Sequence, residues 1–147
     1  MDISIQLDFL SWLRFSISIM DRRQSTSLFR TTREREPQSF LPLSTANLHI
    51  LLALASGERH GYAIMQEVNE TSEGAIRLGP GTLYRSIQAL VEDDLIEEST
   101  RRPGRDEDQR RRYYRLTLLG RRVLAAESRR LADLLALAKA RNVLHSF

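Results

Sequence analysis

Leu78-Gly79-Pro80-Gly81-Thr82-Leu83-Tyr84-Arg85-Ser86-Ile87-Gln88-Ala89-Leu90-Val91-Glu92-Asp93-Asp94-Leu95 is the stretch that decides how this chain folds. Gly79 and Pro80 open a helix, because proline is favoured at the first helical position, where its missing N–H is not needed. Leu83, Ile87, Leu90 and Val91 recur at i, i+4, i+7 and i+8 and make one apolar stripe. The opposite face carries Thr82, Arg85, Ser86 and Ala89, small or cationic residues that let another surface come close. A helix with an apolar back and a small, hydrogen-bonding, basic front fits a DNA major groove. Many ordinary amphipathic helices share that description, so its neighbours carry the decision.

Upstream, Ser44 or Thr45 can cap a helix whose Leu48, Leu51, Leu52 and Ala55 share a face, and Gly57 ends it. A second helix starts near His60, which helps to begin it, with Gly61, Ile64, Met65 and Val68 inward. Ala75 to Leu78 reads as a short extended piece. Downstream, Leu95 and Ile96 begin a strand that runs to about Thr100. A hydrophilic loop follows, then a second strand, Arg110 to Thr117, in which Arg112, Tyr114 and Leu116 alternate with Arg111, Tyr113 and Arg115. A long helix from about Leu118 to Leu144 closes the chain. Two strands joined by a basic loop directly after a candidate recognition helix make a winged helix-turn-helix. The fold expected is therefore mainly α with a small β-wing, followed by a long C-terminal dimerisation helix. Leu48, Leu52, Ile64, Leu83, Ile87 and Leu116 are its expected core.

The segment 101–115 holds seven arginines against three acids, Asp106, Glu107 and Asp108. Arg101, Arg102 and Arg105 flank the turn residues Pro103 and Gly104, and Arg110, Arg111 and Arg112 run together into the strand. Successive strand residues point to opposite faces, so three adjacent arginines cannot all lie against the core. A charge run is usually a solvated face. Placed between two strands behind a Gly-Pro-capped helix, it reads as a surface for phosphates. In the terminal helix, Leu124, Leu131 and Ala138 are seven apart with Leu134 and Leu135 between them, a seam of coiled-coil type for a second copy. The bland alternative is that this stripe covers the chain's own first helix.

At 147 residues the chain holds one domain, and 41% hydrophobic with 28% charged residues describes a soluble globular one. The net charge of +3 says little. Lys139 is the only lysine among 22 basic residues, and arginine's planar fork suits phosphate and guanine, although an arginine-biased genome produces the same count. With no cysteine, disulfides and thiolate chemistry are excluded. His49, His60 and His145 lack ligand spacing, so no metal or cofactor is expected. No nucleophile–base arrangement is apparent, and the chain reads as no enzyme. No apolar span reaches transmembrane length and no secretory signal is present, so a cytoplasmic protein is expected.

Residues 1–39 form an N-terminal extension. The first 20 residues are rich in large apolar side chains, and read as translated sequence upstream of a start at Met20, with an amphipathic helix on a partner subunit as the alternative. Residues 21–39 read as a polar arm. Residues 40–117 are the winged helix-turn-helix and 118–147 the dimerisation helix.

His60-Gly61-Tyr62-Ala63-Ile64, Gly81-Thr82-Leu83-Tyr84, Leu90-Val91-Glu92-Asp93-Asp94-Leu95-Ile96 and Arg112-Tyr113-Tyr114-Arg115-Leu116-Thr117-Leu118-Leu119-Gly120 resemble, in order and spacing, the signature blocks of the PadR-like transcriptional regulators. The resemblance covers Leu41 to about Leu144. It implies a dimeric winged-helix regulator, usually a repressor, that binds double-stranded DNA through a dyad-symmetric operator. Carried over by position, Thr82, Tyr84 and Arg85 lie near DNA with Ser86 beside them. Tyr62 sits by the phosphate backbone, and the loop with Arg105 and Arg110 to Arg112 is the wing. The family usually has glycine at Asp94, a position aspartate tolerates. The single terminal helix resembles the short-tailed members, and no small-molecule effector is legible. The rival function is a winged helix that binds an acidic protein partner instead of DNA.

Overall fold

A helix leaves its first N–H groups without internal partners, and here side chains from outside the helix take them up. The computed structural model describes residues 35–100 and 111–144. It contains four α-helices, α1 (Thr45–Ala55), α2 (Gly61–Thr71), α3 (Pro80–Glu92) and α4 (Leu118–Ala140). The Ser44 hydroxyl accepts the N–H of Asn47 (3.2 Å) at α1, and His60 Nδ1 accepts that of Ala63 (3.1 Å) at α2. The Thr117 hydroxyl accepts that of Gly120 (2.9 Å) at α4. The expected starts at Ser44, His60 and Pro80 are therefore the observed ones. Among these four helices only α3 has no side-chain cap; it begins on Gly79 with Pro80 in its first turn.

Three short strands, β1 (Arg59–His60), β2 (Ile96–Glu98) and β3 (Tyr113–Leu116), form an antiparallel sheet in the order β1-β3-β2. Arg59 faces Tyr114 across one side of β3, and Glu97 faces Arg115 across the other. The architecture is a winged helix, mainly α with a small three-stranded sheet, followed by a long C-terminal helix. Its core joins Ile50, Leu51 and Leu54 of α1 to Ile64 and Val68 of α2, Leu83, Ile87 and Leu90 of α3, and Tyr114 and Leu116 of β3.

Three expectations are corrected. Leu52 is 45% exposed and not in the core, because the buried face of α1 is Ile50, Leu51, Ala53 and Leu54. The helix is apolar on both faces, so periodicity alone could not choose between them. The stretch from Ala75 to Leu78 is no strand. The Ser72 side chain bonds both the N–H and the carbonyl of Ile76, and Asn69 accepts from the Leu78 N–H, so local side chains replace a sheet partner. The third strand is Arg59–His60, two residues that show no alternation to detect. Tyr113 is buried as well as Tyr114, although the two lie on opposite faces of the strand; its ring stands edge-on to His60 at 5.6 Å.

The first turns of α4 belong to the same core. Gly120 lies so close to β2 that a Cβ there would stand 1.9 Å from the Leu95 carbonyl oxygen. That oxygen accepts the Thr117 N–H at 3.1 Å. Val123 and Leu124 are buried in the next turn. Leu124, expected in the dimer seam, is 8% exposed within its own subunit and is thus a core residue. One turn on, the Glu127 carboxylate is 1% exposed; Oε1 accepts the Leu43 N–H at 3.2 Å, and Arg130 donates to both oxygens at 2.7 and 2.8 Å. Those Arg130 hydrogen bonds hold the Glu127 carboxyl below its ordinary value against the opposing effect of burial. Residues before 40 also pack on this core: Pro37 is buried in a 3-10 turn (Pro37–Phe40) against α4, and Arg35 pairs with Asp93 at 3.3 Å. Among the described residues no helix is long and apolar enough to cross a membrane.

Candidate nucleic-acid interface

The back of α3 is held by Leu83, Tyr84, Ile87 and Leu90, all buried. Its front presents Gly81, Thr82, Arg85 and Ala89 to solvent, with Ser86 half-buried at the margin. Among the described residues Arg85 makes one hydrogen bond, a long one from Nε to the Gly81 carbonyl at 3.3 Å. Its guanidinium thus lies along the first turn, and no carboxylate among the described residues pairs with it. Gln88, one turn further, is tied to Glu92 by a 3.0 Å bond. The free polar groups therefore gather in the first half of the helix.

Tyr84 departs from the expected set. It is 8% exposed, and its ring belongs to the core, because it follows Leu83 and widens the apolar stripe by one position. Tyr62, at the second position of α2, is exposed. The imidazole cap of His60 fixes the start of that helix, and with it the place of Tyr62.

The sheet arginines are less free than their number implies. Arg112 donates to both carboxylate oxygens of Glu98 at 3.2 and 2.9 Å. Arg115 pairs with Glu97 at 2.8 Å and approaches Glu58 at 3.7 Å. Arg59 reaches Glu67 at 3.4 Å and bonds the Ala53 carbonyl. Arg111 is half-buried with its guanidinium 3.4 Å from His60 Nε2. Hence the run from Arg110 to Arg112 is not a row of unpaired cations at its strand end. Arg105 and Arg110 lie outside the described residues. Sequence reasoning passed over Glu97 and Glu98, whose pairing depends on the register between β2 and β3, and Glu58, which meets Arg115 through the register between β1 and β3. The signal available was their opposite sign to the arginines of the following strand. Among the described residues no group of three His, Asp or Glu side chains could hold a metal ion.

The distal half of α4 carries the remaining candidates. Leu131, Leu134 and Leu135 are exposed at 38%, 50% and 45%, and Ala138 is half-buried. They continue the stripe that Gly120, Val123, Leu124 and Glu127 bury upstream, so one helix face passes from the core into open solvent.

The family model for the "Transcriptional regulator PadR-like family" matches residues 50–126, which runs from the middle of α1 into α4. The chain is 36% identical over 91 residues to a transcriptional regulator of Mycobacterium tuberculosis, a match covering 62% of this chain and 79% of that protein. It is 38% identical over 89 residues, 60% of its own length, to an uncharacterised 37.1 kDa protein of a Streptomyces fradiae transposon; the match spans only 24% of that relative. The solved structure of a PadR family transcription regulator from Clostridium difficile has the same fold, with a TM-score of 0.57 and 23% identity over 66% of this chain and 97% of that one. A family match over half the chain, on the elements that build the winged helix, leaves one conclusion: the chain belongs to the PadR-like family of transcriptional regulators.

Proposed function

We propose that this chain is a homodimeric, cytoplasmic, sequence-specific DNA-binding repressor that reads a dyad-symmetric operator. The observation that carries the reading is the front of α3, where Thr82, Arg85 and Ser86 project from a helix whose whole back is buried. Such a helix enters a major groove without rearrangement, and a guanidinium in its first turns that pairs with no carboxylate among the described residues suits the O6 and N7 acceptors of guanine. The dimer is supported by Leu131, Leu134 and Leu135, a leucine stripe left exposed among the described residues. Leu52, on the outward face of α1, offers a second apolar contact for the partner copy. Two copies related by a twofold axis present two α3 helices to half-sites about one helical turn apart.

A second reading has one observation in its favour. With Arg112 and Arg115 already paired to Glu98 and Glu97, the wing strand has less free charge for a run of DNA phosphates, and what is left suits the sparser carboxylates of an acidic protein partner. A gel shift against the DNA upstream of its own gene, titrated with salt, separates the two. Specific, salt-sensitive binding to that duplex supports the repressor. No duplex binding at any ionic strength overturns it and leaves the protein-binding module.

A further inference from the structure

We propose that Thr117 and Glu127 are positioning residues that fix the direction of α4 relative to α3, and thereby the half-site spacing that the dimer accepts. This rests on the twofold DNA-binding reading above. Thr117 is bonded to the exit of the recognition helix: its hydroxyl donates to the Asp94 carbonyl, and its N–H donates to that of Leu95. Asp94 and Leu95 are in turn tied to the last turn of α3, through N–H bonds to Val91 (3.0 Å) and Leu90 (2.9 Å). Gly120 brings the helix into backbone contact at the same point. Only two hydrogen bonds in series therefore separate the α4 cap from the α3 backbone.

Val123 and Leu124 pack the next turn of α4 into the core, but apolar packing alone fixes its direction less sharply than a second polar anchor does. The second anchor is Glu127, whose buried carboxylate holds the Leu43 N–H, next to the Ser44 cap of α1. Ten residues of helix separate the two anchors, about 15 Å at 1.5 Å per residue. Two anchors at that distance define a direction, and past them the helix runs on as a lever with no buried side chain. From Thr117 to Leu135 the lever is about 27 Å long, so a tilt of about 7° displaces its seam by about 3.4 Å, the rise of one base pair. Small rotations at the joint thus translate directly into operator spacing.

The test uses the full-length protein and the duplex it selects from a random-sequence pool, with one or two base pairs then inserted between the half-sites. The wild type loses about tenfold in affinity per inserted pair, the scale of a broken half-site contact. Thr117→Ala and Glu127→Ala lower affinity for the parent duplex about five- to tenfold, because only a fraction of molecules holds the competent angle. In both variants the further loss on insertion shrinks to about twofold, and Thr117→Ser restores the wild-type profile. Should alanine at 127 prevent folding, Glu127→Gln is read in the same way, since it keeps an acceptor for Leu43 and loses the Arg130 pair. Folded, dimeric variants with the wild-type spacing profile overturn the proposal, as does a wild type indifferent to spacing. A wild type that selects no sequence from the pool defeats the DNA-binding reading itself.

Discussion

Replacing Gly120 by alanine puts one methyl group where the structure has a carbonyl. The new Cβ would lie 1.9 Å from the Leu95 oxygen and 2.8 Å from its carbon. An ordinary C···O approach is about 3.3 Å, so α4 must retreat by roughly 1.4 Å. The obstacle is backbone at the head of a strand, which cannot rotate away as a side chain would. The retreat stretches the Thr117 N–H bond to Leu95 and the hydroxyl bond to Asp94, worth about 2 kcal/mol together. Overpacking of a filled site adds about 1–3 kcal/mol. The better helix propensity of alanine returns about 1 kcal/mol, for a net loss of about 2–4 kcal/mol. In a domain of this size that lowers the midpoint of thermal unfolding by roughly 10–20 °C. Circular dichroism melts of both proteins at one fixed concentration read it directly, with urea midpoints as a second measure. A midpoint within about 2 °C of wild type would refute the reasoning, because a contact that close cannot be absorbed without cost.

Gly81→Ala serves as the opposite case. A Cβ there meets nothing within 4 Å, so its melting temperature should rise, by the equivalent of about 0.5–1 kcal/mol, while operator affinity falls if the α3 front is the groove-facing surface. Arg85→Ala should cost about 1–3 kcal/mol on the selected duplex and much less on random DNA; equal losses on both, measured by gel shift, would make Arg85 a phosphate contact. Leu131→Asp should turn the proposed dimer into a monomer, seen as a halved mass in sedimentation, with the winged-helix core still folded and helix lost at most from the distal half of α4, since Leu131 is 38% exposed and outside the core. Because the folded Glu127 carboxyl titrates below its ordinary value of 4.5, its contribution is complete above that pH and is lost as pH falls through the lowered value. Glu127→Gln should therefore narrow the stability difference between pH 7 and pH 3 in denaturant melts, and an unchanged difference would count against the pairing.

The helix α3 was legible because its signals agree: a proline start, a four-residue apolar stripe and polar residues opposite. The caps at Ser44 and His60 were legible for the same local reason. What failed required knowledge of distant partners. Leu48, Leu51, Leu52 and Ala55 form a true helical stripe, but the buried face is Ile50, Leu51, Ala53 and Leu54 with Leu48 only partly buried against it, and only the packing of α2 and α3 decides which face is inside. Only the family resemblance sets Tyr84 near DNA, and Leu124 fits a seam because a leucine seven before another suits an interface as well as a core. Glu127 left no trace, since a lone acid on an apolar stripe normally marks the stripe's edge. The pairing of Arg112 and Arg115 with Glu98 and Glu97 depends on strand register across a loop, which local composition does not encode. The close approach of Gly120 had a visible sign in Thr117-Leu118-Leu119-Gly120, a cap followed by the one glycine of a long helix.

The lever half of α4 also has a thermodynamic consequence. Residues 128–140 bury no side chain within their own subunit, and an isolated helix of about that length is marginal in water. Under the proposed assembly, the order of this segment is therefore supplied by the partner, and the conformational entropy lost on ordering it is set against the gain from association. Dimer affinity is held down by that cost, so free monomer persists at low abundance. In that regime the amount of DNA-competent species grows with the square of the monomer concentration. Operator occupancy then rises steeply as the protein accumulates, an abundance threshold written into a stripe of leucines that runs past the end of its own core.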